Sequence, residues 1–424
     1  ASGNNSITKN GAGALVFSGA NTFTGGVTLA AGTITVDAGA FLAASSAPLT
    51  VTGGSLALNN SSQIASSLMF SGGNIAGSLS LSGLTSSWTA GSFNGAGTLT
   101  VSNGAGLSIS GASVEHDFNG HHIVNSGTIT WSAGNLRGGS GSTFTNNGTF
   151  TDSNLAAVAF SLPTAFGGTF TFSNAGTYGK TGTGTTTIGI PFTNSGTLNV
   201  NSGTLRFSST YTQSAGTLAI ASGATAKFDN DLTLGASAGT ITGSGTLEAP
   251  LFTNAGQLSP GSSPGTLTIT GNLTLDSTSR LIIELGGTSQ GTRYDFLSVS
   301  GNAQLGGDLR VSFVNGFASS ISSGNSFTIL TATNGISGSF TNLTAGRVTT
   351  FDNIGTFQVS FGSNSVVLSN FTAVPEPSTY AMLGLGVAAV FASWRRRRWS
   401  PRDDHFCRGF QGAGCNQRCL RRDN

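Results

Sequence analysis

Phe144-Thr-Asn-Asn-Gly-Thr-Phe150 decides the fold, because the chain repeats it. The phrase returns as Phe172-Ser-Asn-Ala-Gly-Thr-Tyr178, Phe192-Thr-Asn-Ser-Gly-Thr-Leu198 and Phe252-Thr-Asn-Ala-Gly-Gln-Leu258. Looser copies run from Ile123 to Ile129 and from Gln213 to Leu218. Aligned on their glycines, the copies fall at 127, 148, 176, 196, 216 and 256, giving steps of 21, 28, 20, 20 and 40 residues. Most steps are one or two units of about 20 residues, the length of one rung of a β-solenoid. In such a rung each short strand points its apolar side chains inward, where they stack on their copies in the next rung. Glycine supplies positive φ at the corners, and Asn and Thr can form ladders of side-chain hydrogen bonds. Rungs rise about 4.8 Å each, so ~12 of them would extend ~60 Å. The 28-residue step predicts a loop between Asn154 and Phe166, where Ser161-Leu-Pro-Thr-Ala165 breaks the strand pattern.

Composition agrees with an all-β chain. Of 424 residues only 8% are charged, 64 are Gly and 9 are Pro. Thr, Val, Ile and Phe recur in period-2 segments, which argues against disorder. The net charge of +2 hides an asymmetry: residues 1–374 hold nine basic and twelve acidic side chains, residues 375–424 nine and four. The long first part is therefore nearly neutral, and no nucleic-acid partner is expected. All three cysteines, Cys407, Cys415 and Cys419, follow residue 400, so no disulfide can staple the solenoid. Its stability must come from stacking and burial. The chain starts at Ala1 without an apolar leader, as expected of a chain whose leader was removed or of a piece of a longer product.

Residues 8–37 alternate at Leu15/Phe17, Val27/Leu29 and Ile34/Val36 around Ser18-Gly-Ala-Asn-Thr-Phe-Thr-Gly-Gly26. This stretch resembles the autotransporter-associated β-strand repeat of secreted bacterial passengers, and the resemblance implies a right-handed parallel β-helix. From Ser259-Pro-Gly-Ser-Ser-Pro-Gly265 the strands lengthen, for example over Thr266 to Leu275 and Gln358 to Leu368. Gly291 to Val311 resembles the C-terminal β-region of large secreted solenoid proteins. Residues 259–372 then form either a cap on the solenoid end or a continuation with larger rungs.

Beyond residue 373 the texture changes again. Val374, Pro375, Glu376 and Pro377 form a stiff hinge. Tyr380 to Trp394 is uncharged, and Arg395, Arg396, Arg397 and Arg398 follow. As a helix those fifteen positions reach roughly 22 Å, short of a hydrocarbon core of about 30 Å. Leu383, Leu385, Val387, Val390 and Phe391 supply the apolar surface of a single short transmembrane helix; Tyr380 and Trp394 suit its interfaces and the arginines the cytoplasmic side. Tripeptide, apolar segment and arginines in this order resemble the PEP-CTERM sorting signal of exported bacterial proteins. The resemblance implies export by the general secretion machinery, transient tethering in the inner membrane of a Gram-negative cell, and processing near Pro375-Glu376-Pro377. The processing partner it implies is an exosortase, a membrane cysteine transpeptidase. An anchor that is never cut is the plainer alternative. Residues 400–424 form a basic, cysteine-bearing tail that departs from the signal's pattern.

Few residues suggest chemistry. Glu115-His116-Asp117 with His121 and His122 could converge on a metal from a loop, though a polar solenoid loop is the preferred reading. Asp229 and Asp231, beside Lys227, would share a strand face and could bridge Ca²⁺ or sugar hydroxyls. Arg293-Tyr294-Asp295 suits a strand-edge ion pair of little consequence. His405, Cys407, Cys415 and Cys419 match no zinc spacing. Trp88 and Trp131 suit the core. No cofactor or catalytic residue is expected.

The expected organisation is a β-strand repeat in 1–60, a solenoid in 61–258, a β-rich cap in 259–372, the sorting signal with its helix in 373–399 and the tail in 400–424. The expected role is structural or adhesive at the cell surface, against an exopolysaccharide or biofilm matrix. An adhesin passenger of autotransporter type and a β-helix polysaccharide-active enzyme are the rival readings.

Overall fold

The computed structural model describes residues 2–261 and 263–374, with the backbone alone described at Ser2 and at residues 60–62. Among the described residues the fold is a right-handed parallel β-solenoid of about 13 turns. The only helical element among them is a three-residue 3₁₀ turn at Phe317–Ser319.

One turn shows the construction. Strands His121–Asn125, Thr128–Trp131 and Asn135–Gly139 follow one another, and the chain then starts the next turn at Ser142–Asn146. Each strand pairs in parallel with the one a turn later, Ile123 opposite Phe144 and Ile129 opposite Phe150. Three parallel sheets result, named here first, second and third in that order.

The registers turn the sequence repeat into columns. In the first sheet Leu99, Ile123, Phe144, Phe172, Phe192 and Tyr211 lie one above another. The Phe144 and Phe172 rings stack at 4.6 Å between centroids, Phe172 and Phe192 at 4.8 Å. In the second sheet the column runs Leu107, Ile129, Phe150, Tyr178, Leu198, Leu218, Ile241 and Leu258, all buried. Each such side chain contributes roughly 1.5–3 kcal/mol by leaving water.

The corner between these two sheets explains the rest of the repeated phrase. Its Asn points inward: the Asn125 amide donates to Asn146 Oδ1 at 2.7 Å, Asn146 to Asn174 at 2.7 Å, and Asn174 to Asn194 at 2.8 Å. Asn146 and Asn174 also donate to the carbonyls of Thr177 and Thr197 one turn on. Every amide in this dry ladder keeps a partner, as burial requires. The Gly sits where neighbouring rungs touch. A Cβ on Gly176 would lie 2.2 Å from the Gly148 carbonyl oxygen, and one on Gly148 equally close to Gly127. No other residue fits that approach.

The long step is a local insertion. Third-sheet strand Val158–Ser161 is followed by residues 162–169 before Phe170–Asn174, where the previous turn uses residues 140–141. Residues 158–161, inside the loop expected from sequence, form a strand because Val158 and Phe160 alternate inward. The bulge therefore starts later than expected and runs past Phe166.

The change of texture at Ser259 marks longer rungs, and the solenoid continues through it. Leu258 pairs onward with Leu281 and Leu281 with Leu309, while Leu267 pairs with Leu297 and Leu297 with Leu330. The cap itself is smaller. Strand Ser365–Ala373 pairs antiparallel with Phe327–Ala332 and with Gly355–Phe361, which carries Arg347–Thr349 on its far edge. Phe313, Phe357 and Phe371 pack together beneath it. These strands cover an edge that would otherwise offer unpaired backbone groups. No helix among the described residues is long and apolar enough to cross a membrane; the helix expected at Tyr380 to Trp394 lies outside the described residues.

Candidate functional site

The histidine cluster falls on two strands, Glu115–Asn119 and His121–Asn125, and on no loop. Alternation then separates its members. His116 and His121 point into the core and are fully buried, while His122 points outward and meets the Thr143 hydroxyl at 2.9 Å. His116 packs edge-on against Trp88, and His121 lies against Phe93 with its Nδ1 3.2 Å from the Gly95 carbonyl. Neither His116 nitrogen, nor His121 Nε2, has a hydrogen-bond partner among the described residues. Burial lowers the pKa of His116 from 6.5 to about 4; the Asp117 charge pulls the other way without reversing it. Burial likewise lowers His121 to about 4, opposed by the Gly95 carbonyl. Glu115 and Asp117 face outward, where Arg137 pairs with both, at 3.3 and 2.6 Å. The three imidazoles do not converge, and no group of three or more metal-binding side chains occurs among the described residues.

Asp229 and Asp231 differ from expectation too. The strand Thr225–Phe228 ends before them, so they do not share a strand face. Asp229 takes a forked pair of bonds from Arg206, 2.7 Å at the shortest, which holds its carboxyl below the usual range. Lys227 is paired with Glu248. Asp295 forms no exposed ion pair. It is buried and accepts from the Gly265 and Glu284 amides at 2.9 and 2.8 Å, and burial raises its pKa to about 7. His405, Cys407, Cys415 and Cys419 lie outside the described residues.

Trp88 and Trp131 are core residues, each donating its indole N–H to a nearby carbonyl, as their type led one to expect. Sequence reasoning missed a polar network inside the solenoid. Trp131, Asp152, Lys180 and Val200 form one inward column of the second sheet. Lys180 Nζ lies 3.8 Å from Asp152, both with no exposed side-chain surface. Tyr178 donates to Asp152 at 3.0 Å, Thr186 at 2.5 Å and the Asn154 amide at 2.8 Å. Lys180 in turn donates to the Gly182 and Asn154 carbonyls. Burial lowers the Lys180 pKa and raises that of Tyr178. Each charge is bonded to fixed neighbours, which locks register, while Asn154 Oδ1 is buried without a hydrogen-bond partner among the described residues.

The remaining candidate is the chain beyond the cap. The last strand ends at Ala373, and Val374 is exposed. Pro375, Glu376, Pro377, the apolar positions from Tyr380 to Trp394 and the four arginines lie outside the described residues. Residues 373–398 match the family model of the PEP-CTERM protein-sorting motif. The chain carries a PEP-CTERM sorting motif. Residues 7–36 and 180–207 match the passenger-associated-transport-repeat. The first match is the N-terminal repeat seen in the sequence; the second was not singled out. Its signal was present: Val27-Thr-Leu29 followed by Gly32-Thr-Ile-Thr-Val36 has the spacing of Leu198-Asn-Val200 followed by Gly203-Thr-Leu-Arg-Phe207. No curated protein matches the chain. The sorting motif implies processing by exosortase-type machinery, and motif and repeats together fit an exported surface β-helix protein.

Proposed function

We propose that this protein is a non-enzymatic structural or adhesive element, exported, held for a time at the inner membrane by its PEP-CTERM segment, and then released to the cell surface or matrix. The observation that carries the reading is the adjacency of the two parts. A capped solenoid ends at Ala373, and the sorting motif spans 373–398. A disulfide-free body held by stacked columns needs no membrane to fold, so the terminal segment serves as an address label. The non-enzymatic reading draws support from the carboxylates singled out in sequence: Asp117 and Asp229 are already bonded to arginines, and Asp295 to backbone amides. An exopolysaccharide is the proposed contact of the body, since its surface strands are rich in Thr, Ser and Asn and poor in charge. The two passenger repeats favour a second reading, an adhesin displayed like an autotransporter passenger.

Deleting residues 374–398 tests the main reading. Fractionation should then find the protein no longer in the inner-membrane fraction and no longer sorted to the surface. Unchanged distribution would remove the role assigned to the motif.

A further inference from the structure

The cap holds the residues on which a processing enzyme would have to close. Ala373, the first residue of the matched motif, is also the last residue of a paired strand. Ala373 lies opposite Gly355, Thr372 opposite Thr356, and Ser369 opposite Gln358. Between them Asn370 takes a positive φ of 49° and bulges the strand. Arg347 spans this region: its Nε donates to the Thr356 hydroxyl at 2.9 Å. Its terminal nitrogen donates to the carbonyls of Thr356 at 2.8 Å and Asn370 at 2.7 Å, and to the Thr372 hydroxyl at 3.0 Å. Phe371 is buried against Phe313 and Phe357. A Cβ on Gly355 would strike the Phe371 ring at 2.3 Å, so this closure is tight.

Enzymes that cut or join peptides bind them extended, through backbone groups on both sides of the reacting bond. Only Val374 separates Ala373 from Pro375. The backbone on the body side of the tripeptide is therefore committed to the cap. The geometry points to regulation of processing by the cap: strand Ser369 to Ala373, latched by Arg347, must come out of the hairpin before a transpeptidase can take the motif. This rests on the proposed function and adds an order of events to it. Processing is slow on a closed cap and faster where the strand is free.

Pulse–chase of the full chain in cells with the processing system tests it, reading conversion of precursor to the shorter form. Inserting Gly-Ser-Gly-Ser between Ala373 and Val374 moves the tripeptide away from the cap without touching a core residue, and conversion should quicken several-fold. Arg347→Ala should quicken it as well. Thr356→Cys with Thr372→Cys, cross-linked between these directly opposed residues, should slow conversion until reductant is added. Equal conversion in the wild type, the insertion and the cross-linked variant would overturn the latch while leaving the sorting reading intact. No conversion in any variant would overturn both.

Discussion

Asn146 accepts a bond from Asn125 below and donates to Asn174 and to the Thr177 carbonyl above. Truncating it leaves Asn174 Oδ1 without its donor in a dry corner and takes one bond each from the Thr177 carbonyl and from the Asn125 amide, which keeps only the Thr149 carbonyl. Asn146→Ala is expected to lower stability by about 1–3 kcal/mol. The neighbouring Thr145→Ala, on the outward side, should stay within about 0.5 kcal/mol. Guanidinium midpoints check both, and equal midpoints would show the ladder to be energetically idle. His116 and His121 set a pH dependence. Their pKa values in the folded state are about 4, against an ordinary 6.5. Between those limits the unfolded chain binds up to two more protons, so their contribution is complete above about 6.5 and is lost as pH falls toward 4. Asp295 opposes them, because its folded value of about 7 exceeds the ordinary 3.8 and stability is lost as pH rises between the two. Two groups outweigh one, so wild-type stability should rise from about pH 4.5 to 6.5. His116→Phe with His121→Phe should reverse that trend, leaving Asp295 dominant. Urea midpoints across the range decide it; a wild-type midpoint that falls with rising pH would contradict the assignment.

Among the elements, the insertion at 162–169 is the part most separable from the repeat. It replaces a two-residue turn and is tied to that turn one rung below. The Ser140 and Gly141 amides donate to the Gly167 and Thr169 carbonyls at 2.8 and 2.9 Å, the Ser140 hydroxyl donates to the Phe166 carbonyl at 2.9 Å, and the Phe166 ring lies 5.7 Å from the Arg137 guanidinium. Replacing residues 162–169 with the Ser140-Gly141 turn should keep the circular dichroism spectrum and cost no more than about 1 kcal/mol, because the surface loop closes no column. A collapsed β signal would show that the loop supports the rungs. The elements also show why some of the fold was legible. Phe, Asn and Gly in the repeated phrase each occupy a position with one geometric solution, a ring column, an amide ladder and a backbone contact, so the spacing carried the architecture. Asp152 and Lys180 were illegible for the converse reason. Asp152 sits in Thr151-Asp-Ser-Asn154, which reads as a polar turn, and only the register shows it stacked between Trp131 and Lys180. The histidines misled similarly: five residues that look like a loop are two strands, and alternation drives His121 and His122 apart. At Ser259 the proline-rich turn suggested a boundary, yet Leu258, Leu281 and Leu309 continue one column, since longer rungs leave the inward register unchanged.

Taken whole, the protein joins a body that is complete without covalent staples to a terminal segment of opposite character. Residues 1–374 carry a net charge of −3 and residues 375–424 of +5. Stability of the body comes from rung-on-rung contacts, approximately additive along the stack. The sorting claim is tested most directly by mass spectrometry of the protein recovered from the cell surface or medium. The account requires a chain that ends near Pro375 and lacks Arg395 to Arg398 and all three cysteines. Surface protein that still carries Arg395 to Arg398 and the cysteines would contradict it.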